Sequence, residues 1–312
     1  MKKINVVIVI PCYRVSTKII HVLSEVPEFV SKIIVVDDNC PEKTGKIVSK
    51  AKISNKVKVL TNNANLGVGG ATKAGYKEAL KSNPDVVIKI DGDGQMNPKD
   101  IDKFIFAIME RNFDYAKGNR FYSISNVHQM PLIRKIGNLG LSFMSKLSTG
   151  YYEIFDPNNG FTAISGQLLA QLPLNDISDR YFFESDMLFQ LNLLGAKVLD
   201  IPIPAIYGNE KSNLKITNSL IVFPKNHLIN FVKRIMYKYF LRDFNIASIQ
   251  LLLGSAFFCW GTIFGGITWF RNMSNNIATT PGTIVLVAIF IITGLQLLLS
   301  FLTFDMGSQK RD

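Results

Sequence analysis

Short apolar runs alternate with amphipathic stretches over the first two thirds of the chain. "INVVIVI" (4–10), "KIIVVDD" (32–38), "KVKVLTN" (56–62) and "DVVIKID" (85–91) are brief and rich in β-branched residues. Such runs mark strands buried in a parallel sheet. Between them, "STKIIHVLSEVPEFV" (16–30) carries helical apolar spacing behind a Ser or Thr cap. "GGATKAGYKEALKS" (69–82) reads as a helix with a glycine-rich entrance, and "NPKDIDKFIFAIMER" (97–111) as one with Pro98 in its first turn. Strand–helix alternation of this kind predicts an α/β sheet with ligands gathered beyond the carboxyl ends of its strands.

The pattern changes after about Pro224. From Lys225 to Asp243, Leu228, Ile229, Val232, Ile235, Met236, Tyr239 and Phe240 recur at helical spacing, with Lys233, Arg234, Lys238 and Arg242 over much of the remaining circumference. That pattern predicts a helix lying in a membrane interface with its cations towards anionic headgroups. Ile246–Phe270 and Thr283–Phe304 then carry no charge at all. Each exceeds the roughly 20 residues needed to cross hydrocarbon. Trp269 and Phe270 mark one interface, and Gly265 and Gly266 offer a place for close helix packing. The connecting loop holds only Arg271. Lys225, Lys233, Arg234, Lys238 and Arg242 precede the first span, and Lys310 and Arg311 follow the second. This asymmetry places both termini and the α/β part on the cytosolic side. Three segments are expected: an α/β domain over 1–224, an interfacial helix over 225–244, and a two-helix anchor with a short tail over 245–312.

Composition narrows the partners. The chain has 312 residues, 47% of them hydrophobic, and a formal net charge of +11. A basic excess favours an anionic partner: nucleic acid, a phosphorylated substrate or a lipid surface. No basic–aromatic platform points to nucleic acid, and the cations cluster near the spans. Three cysteines, Cys12, Cys40 and Cys259, are too few for a disulfide framework and suit a reducing compartment. The N-terminal apolar run is broken by Pro11 and lacks a small-residue cleavage site, so it reads as a strand rather than a signal peptide. His21, His128 and His227 have no metal-ligand spacing and read as structural.

The chemistry-bearing stretch is "KIDGDGQMNP" (89–98). Asp91 and Asp93 close a strand across one glycine, and carboxylates so placed repel unless a cation lies between them. Mg²⁺ or Mn²⁺ takes oxygen ligands and leaves places for phosphates, with Gln95 as a further ligand or supporting donor. Asp37 and Asp38 end an earlier strand, where they can accept from a nucleobase imide and a ribose hydroxyl or cap a turn. Gly67, Gly69 and Gly70 bring backbone N–H groups to a helix entrance able to meet an anion.

"IPCYR", "VVDDNCPEKT", "NANLGVGGATKAG" and "IDGDGQMNP", in that order, resemble the nucleotide-sugar half of the family-two glycosyltransferases. "GNRF", "RKIGNLG", "DPNNGF" and "FFESDM" resemble the acceptor half of their polyprenyl-phosphate branch. The resemblance covers nearly the whole chain and implies a GT-A fold: one α/β domain around a mostly parallel sheet, here followed by the interfacial helix and two spans. It also implies inverting transfer of one sugar from a nucleotide-diphosphate sugar, with a UDP-sugar favoured, to polyprenyl phosphate, with Mg²⁺ or Mn²⁺ as cofactor. Residue by residue, Pro11 and Tyr13 match the motif bordering the nucleotide, and Asp38, with Asp37 beside it, the aspartate that reads the base. Asp91, Asp93 and Gln95 match the metal and diphosphate motif. Arg120 and Arg134 match arginines that hold the acceptor phosphate, Glu184 and Asp186 the late acidic pair, and Lys211, Ser212 and Lys215 a phosphate-contacting loop. Arg14 and Val15 stand where many relatives carry Asn and Glu, and Asn138 stands where serine is frequent. The implied setting is a bacterial-type plasma membrane, with membrane lipids as partners and the spans as a surface for a homo-oligomer. Two alternatives remain open: extension of a saccharide on lipid diphosphate, as in O-antigen or capsule assembly, and a non-catalytic membrane-tethered nucleotide-binding module.

Overall fold

A computed structural model describes residues 4–122, 132–204 and 216–308, which form two compact units, one ending at Val232 and one beginning at Lys233. In the first, a seven-stranded sheet comprises β1 (Val6–Cys12), β2 (Lys32–Asp37), β3 (Val57–Thr61), β4 (Val86–Lys89), β5 (Tyr115–Asn119), β6 (Thr162–Ser165) and β7 (Val198–Pro202). The spatial order is β3-β2-β1-β4-β6-β5-β7. β1 pairs parallel with β2 and β4, β2 with β3, and β5 with β7; β6 runs antiparallel between β4 and β5. The expected α/β class with a mostly parallel sheet is therefore found.

Alternate residues of each strand feed two cores, as the period-two pleat requires. Ile8, Ile10, Val35 and Ile88 face α1 (Ile19–Ser24), α2 (Thr44–Ala51) and α4 (Ile101–Met109). Val7, Val9, Val36 and Val87 face α3 (Val68–Leu80), α6 (Gly166–Gln171) and α7 (Phe183–Leu193). Helix α5 (Leu132–Thr149) lies between β5 and β6 in the chain. The helix expected over 16–30 shrinks to α1 alone, before Pro27, and no Ser or Thr caps it. Ser16 instead gives its N–H and hydroxyl to Glu42, at 3.3 and 2.6 Å.

Helix α8 (Ile216–Met236) runs through Pro224, where the sequence reading set the start of the interfacial segment. Up to Val232 its inner side mixes apolar and polar groups, with Phe223 buried against Phe182. His227 and Asn230 are buried, whereas Val222, Leu228, Ile229 and Val232 are exposed. His227 Nδ1 lies 2.7 Å from Ser148 Oγ, and its ring meets Phe182 edge-on. Burial pushes this imidazole down to about 4. The unfolded chain therefore takes up the proton first as pH falls. Stability from neutral His227 should be intact above about pH 6.5 and lost towards pH 4, by about 3 kcal/mol in all. Thermal unfolding of His227→Gln across that interval should show a shallower acid slope; an unchanged slope would remove His227 as its source.

In the second unit, a π-helical turn (Tyr237–Arg242) leads to α9 (Ile246–Ser274), which α10 (Pro281–Gly307) packs against. Asn245 and Ser248 form a reciprocal capping box at the start of α9. Both helices are long and apolar enough to cross a bilayer, and most of their large apolar side chains are exposed. Of the two glycines expected at their contact, a Cβ on Gly265 would meet Val287, but Gly266 faces open space. The tightest approach is at Gly294, where a Cβ would stand 2.5 Å from the backbone nitrogen of Phe258. Arg234 corrects the expectation of a headgroup-facing cation: it is fully buried, its guanidinium forked onto Asp305 at 2.8 and 2.7 Å. Ile235 and Tyr239 are also buried, whereas Met236 is exposed.

Candidate active site

The Asp-Gly-Asp turn follows β4 directly. The ammonium of Lys89, the last residue of that strand, donates to Asp91 Oδ1 at 2.9 Å, to the Gly160 carbonyl at 3.2 Å and to Glu184 Oε1 at 3.3 Å. Lys89 is 1% exposed. Burial alone would favour its neutral form, but Asp91 and Glu184 outweigh this and hold it well above the ordinary lysine range. Gly160 is required here: a Cβ would run into the Asp91 carboxylate and stand 2.7 Å from Lys89 Nζ.

Asp93 accepts the Gln95 N–H at 3.0 Å. Burial raises its carboxyl above the usual range, the Gln95 N–H opposes this, and the charge of Asp91 raises it further. Two carboxylates that repel across one residue, with Asp91 still 31% exposed, suit a hard divalent cation. Among the described residues no group of three His, Cys, Asp or Glu gathers to hold a metal. Such an ion would therefore complete its shell from Gln95, water or a substrate's phosphates.

Several expected ligand contacts are instead taken up by the protein. Asp37 accepts from the N–H groups of Cys40 and Gly45, at 2.7 and 2.6 Å, and fastens the start of α2. Asp38 accepts from Asn62 Nδ2 at 2.8 Å, Leu66 N at 3.0 Å and Gly67 N at 2.7 Å. Both acids are buried, and both accept from the protein's own N–H groups. The Gly67 N–H is thereby used, and Gly70 donates to the Asp179 carbonyl at 2.8 Å. These glycines admit the segment Ser178–Arg180: a Cβ on Gly69 would come within 2.8 Å of the Asp179 carbonyl carbon. Pro11 is buried in β1 opposite Val36, and Tyr13 is 40% exposed just beyond it. A Cβ on Gly92 would come within 3.1 Å of Val15, so the residue that departs from the resemblance packs against the Asp-Gly-Asp turn.

Arg120 is forked onto buried Asp156, Nε to Oδ2 at 2.8 Å and Nη2 to Oδ1 at 3.1 Å. The guanidinium that the resemblance assigns to the acceptor phosphate thus rests on an acid of the protein and stays 36% exposed. It anchors the loop Asp156–Gly160, whose last residue abuts Asp91. Glu184 and Asp186 diverge because two residues along a helix turn a side chain to another face. Glu184 meets Lys89. Asp186 accepts the Ser178 hydroxyl, the Ser178 N–H at 2.9 Å and Asn230 Nδ2 at 2.6 Å. Lys211 and Ser212 lie outside the described residues, as does the side chain of Arg134, whose backbone belongs to α5. The sequence reading missed Lys89 and a second buried lysine, Lys117, which donates to the Asn159 carbonyl. The signal was a cation inside the apolar run "DVVIKID".

The model of glycosyl transferase family 2 matches residues 7–172. The chain is similar to the UDP-N-acetylglucosamine–dolichyl-phosphate N-acetylglucosaminyltransferase of Methanococcus voltae, at 32% identity over 69% of this chain and 91% of that one. It is similar to the undecaprenyl-phosphate mannosyltransferase of Micrococcus luteus, at 28% identity over 63% and 81%. Among solved structures, glucosyl-3-phosphoglycerate synthase from Mycobacterium tuberculosis, in complex with Mn²⁺, UDP and glucosyl-3-phosphoglycerate, superposes with a TM-score of 0.53. That match has 16% identity and covers 74% of this chain and 79% of that one, which bears on the fold alone.

Proposed function

The chain belongs to glycosyl transferase family 2, within its polyprenyl-phosphate branch, and on that premise we propose that it moves one sugar from a UDP-sugar to a polyprenyl phosphate, inverting the anomeric centre. One observation carries the choice of acceptor. Glu184 and Asp186 are both engaged by donors of the protein itself, Lys89 for the first and Ser178 with Asn230 for the second. A sugar hydroxyl needs a general base. A phosphomonoester, with a second pKa of about 6, is largely dianionic at neutral pH and attacks without one. The arrangement therefore favours a bare lipid phosphate over a saccharide already carried on lipid diphosphate.

Asp91 and Asp93, with Gln95, would hold Mg²⁺ or Mn²⁺, in line with neighbours of the fold crystallised with either ion and UDP. When bound, the ion supplies Lewis-acid stabilisation to the departing nucleoside diphosphate. Tyr13, exposed at the end of β1, borders the nucleotide. Arg134, with Lys211 and Ser212, is proposed to neutralise and aim the lipid phosphate; Arg120 supports the loop beneath Asp91. We place α8 at the bilayer surface, with Leu228, Ile229 and Val232 towards acyl chains and the exposed Lys225 and Lys233 towards headgroups. Helices α9 and α10 cross the membrane, with the catalytic part and both termini cytosolic.

The full-length protein in nanodiscs, given labelled nucleotide sugars led by UDP-N-acetylglucosamine, should transfer one sugar per undecaprenyl or dolichyl phosphate and release nucleoside diphosphate. Turnover only on a lipid-diphosphate saccharide would reject the acceptor. Nucleotide binding without any turnover would turn the reading into that of a tether.

A further inference from the structure

A lysine inside a sheet is costly unless something demands it. This sheet has two in one row. Lys89 of β4 and Lys117 of β5 both pair in register with Thr162 of β6, on the face covered by α3 and α7. Both are essentially buried, at 1% and 0% exposed. Lys117 turns to the Asn159 carbonyl, and Lys89 reaches Asp91, Gly160 and Glu184. The charged groups around Lys117 are Glu184, Asp156, Asp200 and Lys89, and Lys18 also bears on Asp93. Lys89 binds the Asp-Gly-Asp turn directly, through Asp91 at 2.9 Å.

A cation entering beside Asp91 meets a carboxylate already neutralised from behind by an ammonium that cannot swing away. It must also approach that ammonium across a few ångströms of low dielectric. Asp91 and Asp93 alone are then a poor divalent-cation site. A diphosphate adds negative charge on the open side and tips the balance. We infer that Lys89 is a positioning residue that makes divalent-cation binding at Asp91 and Asp93 conditional on a nucleoside diphosphate, fixing the Asp91 carboxylate and suppressing metal loading without the donor. This rests on the donor and metal assignment proposed above.

The test is Mn²⁺ binding to the whole protein, read by the loss of the free-ion electron paramagnetic resonance signal, with and without UDP and without any turnover. The wild type should bind Mn²⁺ weakly alone and at least tenfold more tightly with UDP. Lys89→Met should bind Mn²⁺ alone at least tenfold more tightly than the wild type, with the effect of UDP reduced by a similar factor. Because Lys89→Met strands Glu184, the double variant Lys89→Met/Glu184→Gln restores the net charge of the Lys89–Asp91–Glu184 cluster and should show the same gain. If UDP tightens Mn²⁺ in the wild type but both variants match it, the role of Lys89 is overturned while the donor site stands. If the wild type binds no Mn²⁺ even with UDP, the metal assignment falls and this inference with it.

Discussion

Asp91→Ala and Asp93→Ala are each expected to lower sugar transfer by roughly three orders of magnitude, the scale seen when one preorganised electrostatic partner of a transition state is removed. Their effects on the fold should differ. Asp91 accepts from the Lys89 ammonium, so its loss leaves that buried cation with Glu184 and the Gly160 carbonyl only. Asp93 is raised above the usual carboxylate range chiefly by burial and then by the charge of Asp91. Removing it relieves a repulsion in the folded state. Asp93→Ala should therefore unfold at a temperature equal to or above that of the wild type, and Asp91→Ala below it. Initial rates with a UDP-sugar and undecaprenyl phosphate, alongside thermal unfolding of the same preparations, separate chemistry from folding. Retained turnover in either variant would reject the metal assignment.

Legibility in the sequence followed the range of the interactions. The four strands from β1 to β4 are visible because β-branched residues cluster in short runs, and the two spans because nothing charged interrupts them. Strands β5 and β6, "YAKGN" and "TAIS", hold a buried lysine and a buried threonine, so they lack the pattern that marks a core strand. The Asp-Gly-Asp turn was readable because two acids one residue apart raise their own electrostatic question. The use of Asp38 was not, since its donors Asn62, Leu66 and Gly67 come from beyond β3. Arg120 shows the same limit: its partner Asp156 lies 36 residues on, and only the fold reveals that the guanidinium is committed. Family motifs mark which residues matter but not whether they touch a ligand or hold the loop that does.

The cation on α8 with the most distant partner carries the largest expected effect on stability. Arg234 and Asp305 are 0% and 1% exposed, joined by two parallel bonds, and Tyr239 donates its hydroxyl to the same carboxylate at 2.6 Å. Lys238 stands 3.5 Å from it. Removing one member of a buried pair leaves the other charge in low dielectric without its partner, which costs about 3–5 kcal/mol. Asp305→Ala should therefore be the most destabilising single change in the second unit, visible as a large drop in the unfolding midpoint in detergent. Replacing both members, as Arg234→Met with Asp305→Leu, removes charge and countercharge together. The double variant should recover most of the loss, because an apolar pair of similar volume carries no desolvation penalty. The two single effects would then add to far more than the double effect. Additive effects would instead mean that Arg234 faces headgroups, as its place among the cations of α8 first implied, and that Asp305 is held by Tyr239 and Lys238 alone.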